Sequence, residues 1–117
     1  MANIALNLVV LRSADIDRTA AFYSRLGLEF SRHRHGTGAE HLAAETLGSV
    51  FELYPLGVDG KSTPGTRIGS RVPSVDAVIA ALADLPGTLV VPAANSEWGR
   101  RAVVADPDGH RVEIVQA

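Results

Sequence analysis

Two glutamates give the first chemical lead. Glu52 stands in Phe51-Glu52-Leu53-Tyr54 and Glu113 in Val112-Glu113-Ile114. Side chains along a strand alternate between its faces. Phe51 and Leu53 therefore share a face suited to a core, while Glu52 and Tyr54 share the other. Glu113 likewise opposes Val112 and Ile114. Both carboxylates should point toward a ligand or toward solvent. A carboxylate so placed can act as a metal ligand, a general base or the partner of a cation.

A second cluster is rich in imidazole. His33 and His35 lie two apart on a predicted strand and can share a face, with His41 close behind. Three imidazoles can chelate a metal. The plainer reading is a polar strand end, since Arg32 and Arg34 alternate with them and Gly36-Thr37-Gly38 follows. Trp98, the single tryptophan, offers a face for a planar ligand or a cover for a core edge. Arg12 and Arg71 are further candidates for the same side, with solvent exposure as the alternative. The Gly36-x-Gly38 pair lacks the rest of a dinucleotide fingerprint, and no P-loop, HExxH or serine nucleophile elbow occurs.

Composition narrows the field. The chain has 117 residues, 46 % hydrophobic and 21 % charged, which suits one globular domain with a core. The net charge is −2 and the 11 Lys and Arg residues are scattered, so no nucleic-acid partner is expected. There is no cysteine, which excludes disulfides, thiolate metal sites and cysteine nucleophiles, and fits a cytoplasmic protein. The apolar run from Ile4 to Leu11 is too short to span a bilayer and lacks a basic flank, so it reads as a first strand and no membrane partner is expected.

The elements that must position these residues fall into two halves of one pattern. In the first, a strand over Leu6–Leu11 precedes a helix capped by Asp15, with Ile16, Ala20, Tyr23 and Leu26 at helical spacing and Gly27 as its left-handed stop. Strands are predicted over Leu28–Arg34, His41–Ala44 and Ser49–Tyr54. A glycine-rich polar stretch, 57–65, is the natural linker. In the second half, a strand over Arg67–Val72 leads to a helix capped by Ser74 and closed by Pro86-Gly87. Strands follow over Thr88–Val91, Arg101–Ala105 and Arg111–Val115, with Asp106-Pro107-Asp108-Gly109 as a type I turn between the last two.

These residues carry a resemblance. Asp15-Ile16, Ala21-Phe22-Tyr23 and Leu26-Gly27-Leu28, then Trp98-Gly99, Asp106-Pro107-Asp108-Gly109-His110 and Val112-Glu113-Ile114, occur in the order and spacing of the glyoxalase/bleomycin-resistance/dioxygenase (vicinal-oxygen-chelate) superfamily, whose pattern the chain resembles from about residue 4 to 116. The resemblance implies an α+β fold. Two βαβββ modules, 4–56 and 66–116 of one 4–117 domain, would form an open, cup-shaped mixed sheet with helices on its outer face. It also implies a ligand in the cup and commonly a homodimer, sometimes with the cup completed by the partner chain.

Metal-dependent members of that family use four positions, one on each of four strands. Glu52 and Glu113 match two of them; the other two fall on Leu8 and Arg67. Leucine cannot ligate, and arginine repels a divalent cation. The expectation is therefore a protein that binds a small organic molecule in a cup formed by Leu8, Glu52, Tyr54, Arg67, Trp98 and Glu113. No cofactor is expected, and Arg67 would stand where the metal charge would be, paired with Glu52 and Glu113. The alternatives are solvated edge residues at these positions, a metal-free enzyme with Glu113 or Glu52 as base, or an enzyme of the lyase, dioxygenase or isomerase kind. The last would hold Ni, Zn, Mn or Fe through Glu52 and Glu113.

Overall fold

The computed structural model describes residues 2–57 and 59–117, so Val58 of the expected linker lies outside the described residues. The first half runs β1 (Leu8–Ser13), α1 (Ile16–Ser24), β2 (Phe30–His33), β3 (His41–Glu45) and β4 (Val50–Pro55). The second runs β5 (Arg67–Val72), α2 (Val75–Ala81), β6 (Leu89–Ser96), β7 (Gly99–Ala105) and β8 (Arg111–Gln116). Each half makes a four-stranded mixed sheet, in the orders β1-β4-β3-β2 and β5-β8-β7-β6. The first and last strands of each half pair parallel, and the remaining pairs are antiparallel. The sheets are open, not closed into a barrel, and the architecture is α+β.

Both helices begin where capping chemistry dictates. The Asp15 side chain accepts from the Arg18 N–H, and the Ser74 side chain accepts from the Ala77 N–H. α1 ends at Ser24 with Arg25 as its C-cap, and the turn that follows closes at Gly27, whose φ of 114° only glycine adopts without strain. The Leu28 N–H then reaches back to the Tyr23 carbonyl at 3.3 Å.

α1 packs on β3 and β4, and α2 on β6, β7 and β8. Leu11, Phe22, Tyr23, Phe51 and Leu53 join Val72, Val75, Leu82, Val112 and Ile114 in one buried cluster drawn from both halves. Strand alternation thus sends Phe51, Leu53, Val112 and Ile114 inward. Glu52, Tyr54 and Glu113 are left on the opposite faces, half-buried.

Four strands, β1, β2, β6 and β7, depart from the sequence-based bounds by two residues or more; β2 spans only Phe30–His33 and β7 begins already at Gly99. β1 begins at Leu8 rather than Leu6, because its parallel partner starts only at Val50, opposite Leu8. Ile4 and Leu6 are left 82 % and 87 % exposed. β6 runs on to Ser96, through Pro92. It lies at a sheet edge and its pairing slips between Leu89 and Val91 and between Val91 and Ala94, so the missing proline N–H costs no regular ladder bond.

Candidate functional site

The face of the first sheet turned away from α1 carries an ordered row of side chains. Arg12 on β1 is in register with Tyr54 on β4, and His33 on β2 with His41 on β3. The Leu42–Leu53 pair places His41 beside Tyr54. The Arg12 guanidinium lies 5.2 Å from the Tyr54 ring centroid, and the Tyr54 and His41 rings stack at 4.2 Å and 7°. His33 continues the stack at 5.9 Å, and His35 stands 5.3 Å from His41. One residue along, Glu52 approaches Nε2 of His41 to 3.4 Å. Arg12 also donates to the Pro55 carbonyl, which fixes its end of the row.

The face of the second sheet turned away from α2 is organised around Glu113. Arg67 Nη2 lies 3.1 Å from one of its oxygens and Arg101 Nη2 2.9 Å from the other. Arg67 reaches it from β5, paired in parallel with β8, and Arg101 from β7 on the opposite flank. Hydrogen bonds from Arg67 and then Arg101 hold the Glu113 carboxyl below its ordinary range. Both oxygens are occupied by guanidiniums, so Glu113 is a poor base and an unsuitable metal ligand.

The expected site residues therefore divide between two places. Arg67 pairs with Glu113, while the ionisable group beside Glu52 is His41. Leu8, 52 % exposed, begins β1 as Arg67 begins β5, so the two hold equivalent positions in the two halves. Trp98 stands 69 % exposed on the β6–β7 turn and covers no core edge. The family's four-strand metal does not fit this donor set. Leu8 has no donor atom, and Arg67 places its own charge on Glu113.

A third cluster, built on the Asp106–Gly109 turn and His110, joins the halves. The buried Tyr23 hydroxyl donates to Asp106 Oδ2 at 2.7 Å, and His110 Nδ1 donates to the same oxygen at 2.7 Å. His110 Nε2 meets the Thr63 hydroxyl at 2.6 Å, and Thr63 accepts from the Arg12 N–H. Asp108 accepts from the Ala14 N–H and the Thr19 hydroxyl. Burial, and next the Asp106 charge, push the Tyr23 phenol far above its usual range. Asp106, Asp108 and His110 also form the one set of three close potential metal donors among the described residues. Their donor atoms are already committed to protein partners, so the cluster reads as a latch. The spacing of Asp106, Asp108 and His110 around one turn was its only sequence signal.

Two cavities stand out among the described residues. The larger, about 580 Å³, opens between the halves on the core side, among Val9, Tyr23, Phe51, Ile68 and Arg71. The smaller, about 310 Å³, lies beside α2, between Ile79 and Val104. Neither is lined by Glu52 or Glu113.

Comparison with known proteins agrees with this architecture. The family model described as Glyoxalase/Bleomycin resistance protein/Dioxygenase superfamily matches residues 5–114. Among solved structures, the chain is similar to TnmS3, an antibiotic binding protein from Streptomyces sp. CB03234, with 24 % identity, a TM-score of 0.77 and 99 % and 98 % of the two chains covered. It is also similar to the oxidase ChaP-H2, with 20 % identity, a TM-score of 0.78 and 99 % and 95 % covered. A superfamily member from Sphaerobacter thermophilus DSM 20745 gives 20 % identity, a TM-score of 0.76 and 97 % and 98 % covered. At these identities the likeness is one of fold. No curated protein matches the chain. No helix among the described residues is long and apolar enough to cross a membrane.

Proposed function

The chain belongs to the glyoxalase/bleomycin resistance protein/dioxygenase superfamily, and from that premise we propose that it binds a small organic molecule in a cup without a metal at the family's four-strand position. The observation that carries this reading is the Arg67–Glu113–Arg101 bridge. It supplies a fixed positive charge where a metal-dependent relative needs an open coordination site. Apolar Leu8 and Val10 and the Tyr54 ring offer surface for the organic part of a ligand, and Arg67 attracts an anionic group. The antibiotic-binding role named for TnmS3 is a function of this kind.

The same proposal includes a second copy of the chain. Strands β1 and β5 are both sheet edges and do not pair with each other. The stripe Ile4, Leu6, Leu8 and Val10 at the first edge is 36–87 % exposed, a surface that soluble proteins usually cover. Two copies placing the first sheet of one against the second sheet of the other would close the cup and bury this stripe. We place the protein in the cytoplasm on the same reading.

The experiment is a thermal-shift screen of small organic molecules against chelator-treated protein, combined with sedimentation. A stabilising ligand is expected without added metal, together with a dimer at micromolar concentration. Arg67→Ala should weaken an anionic ligand about tenfold or more and a neutral one little. Ligand binding that requires metal added back would overturn the cup reading, and a monomeric protein would overturn the shared cup.

A further inference from the structure

Among the described residues, one buried side-chain nitrogen or oxygen has no hydrogen-bond partner: Nε2 of His41. The side chain is 2 % exposed. Its other nitrogen, Nδ1, lies 3.2 Å from the Ala39 carbonyl. A carbonyl only accepts, so Nδ1 carries the proton. With the proton on Nδ1, Nε2 is the nitrogen that can offer a lone pair. That lone pair faces a Glu52 oxygen at 3.4 Å, and a carboxylate is also an acceptor. Two acceptors held this close in a partly dry place need a cation between them.

Metal-bound histidines characteristically donate their second N–H to a carbonyl or a carboxylate, which fixes the tautomer and aims the free nitrogen. His41 already has that arrangement. Two further imidazoles stand beside it. The ring centroids of His33, His35 and His41 are 5.3–6.3 Å apart. Three imidazoles on one tetrahedral zinc, with Zn–N of about 2.0–2.1 Å, have centroids about 5 Å apart. The rings are thus near enough to share one ion after side-chain rotation, although their donor nitrogens do not converge as they stand. The rings now stack face to face, so His33 and His35 must turn rather than travel. Both are exposed, and among the described residues Ser31 at 2.9 Å is the hydrogen-bond partner of the His33 ring.

We infer that His41 and Glu52, joined by His33 and His35, form a site for a divalent cation that favours imidazole. Three nitrogens and one oxygen suit Zn²⁺, Ni²⁺ or Cu²⁺ and suit Mg²⁺ poorly. The site lies on β2, β3 and β4 of one sheet. It shares Glu52 with the four-strand position but needs neither Leu8, Arg67 nor Glu113. Its failure or success is therefore separate from that of the organic-ligand cup, which is assayed on chelated protein.

The test is calorimetric titration of Zn²⁺ into the full-length, chelator-treated and dialysed protein, with Mg²⁺ as the control and Co²⁺ absorption as a report on tetrahedral geometry. One Zn²⁺ per chain is expected, with no heat from Mg²⁺. His41→Ala should weaken binding by about a hundredfold, and the exposed pair His33→Ala with His35→Ala by about tenfold or more. The second variant keeps the test decisive if loss of the buried His41 impairs folding. Glu113→Gln should leave Zn²⁺ affinity within about twofold, as expected for a residue outside the ligand set. Absence of stoichiometric Zn²⁺ binding would overturn the inference. So would binding that survives loss of His41 in a folded protein, or binding that tracks Glu113.

Discussion

Tyr23→Phe removes a single oxygen from the latch between the two halves. The ring should keep its place, because it packs edge-on against Phe22 at 5.1 Å and Phe51 at 4.8 Å between centroids. What disappears is the 2.7 Å hydrogen bond to Asp106, a buried bond to a charged acceptor that joins residues 83 apart in sequence. Such bonds contribute about 1.5–3 kcal/mol. The loss should not be larger, because Asp106 Oδ2 retains His110 and Oδ1 retains two backbone N–H donors. At about 2.1 cal/mol/K per residue, the unfolding entropy of a 117-residue chain is about 0.25 kcal/mol/K. The melting temperature should then fall by about 6–12 °C. Urea unfolding followed by circular dichroism supplies the free energy directly. Alkaline pH adds a second signature. The folded-state phenol titrates above its unfolded value of about 10, so its contribution is complete below that pH and is lost as pH rises beyond it. The wild type should lose stability between about pH 9 and 11 more steeply than Tyr23→Phe. A loss under about 0.5 kcal/mol with an unchanged alkaline slope would refute the latch, since the usual net value of such a bond is several times larger.

Other perturbations test the scaffold and the bridge. Leu53→Ala empties a fully buried position on β4 and should cost about 2–5 kcal/mol in urea unfolding. Gly109→Ala meets no steric obstacle, yet its φ of 88° places the alanine in the left-handed region, so about 1–2 kcal/mol should be lost from the backbone alone. Glu113→Gln should abolish one component of acid sensitivity. The carboxyl titrates lower when folded than unfolded, so the bridge stabilises the fold above the unfolded value of about 4.3 and is lost as pH falls through the depressed folded value. Urea midpoints at neutral and acidic pH should therefore differ less in the variant than in the wild type. An equal difference would assign no linkage to the bridge.

The elements were legible because each has a local cause. Asp15 and Ser74 cap helices with their own side chains, and Gly27 and the Asp106–Gly109 turn stop or reverse the chain through backbone geometry. Alternation along Phe51–Tyr54 and Val112–Ile114 likewise determined which side chains point inward. The ends of β1 and β6 were not legible in the same way. A strand extends only as far as its neighbour does, and that neighbour is remote in sequence.

The candidate site shows the same division. Residue types alone establish that Leu8 cannot ligate and that Arg67 brings a charge, so two of the four family metal positions lack a ligand. Only the tertiary structure decided the pairing. Arg67 meets Glu113 because β5 lies parallel to β8, and Glu52 meets His41 because β3 folds back along β4. Tyr23, an apolar helix-face residue by spacing, becomes the anchor of a buried polar network because Asp106 arrives from the other half. The bare nitrogen of His41 also required the fold. Its burial and its acceptor neighbours come from strands and a loop that the sequence could name but not bring together.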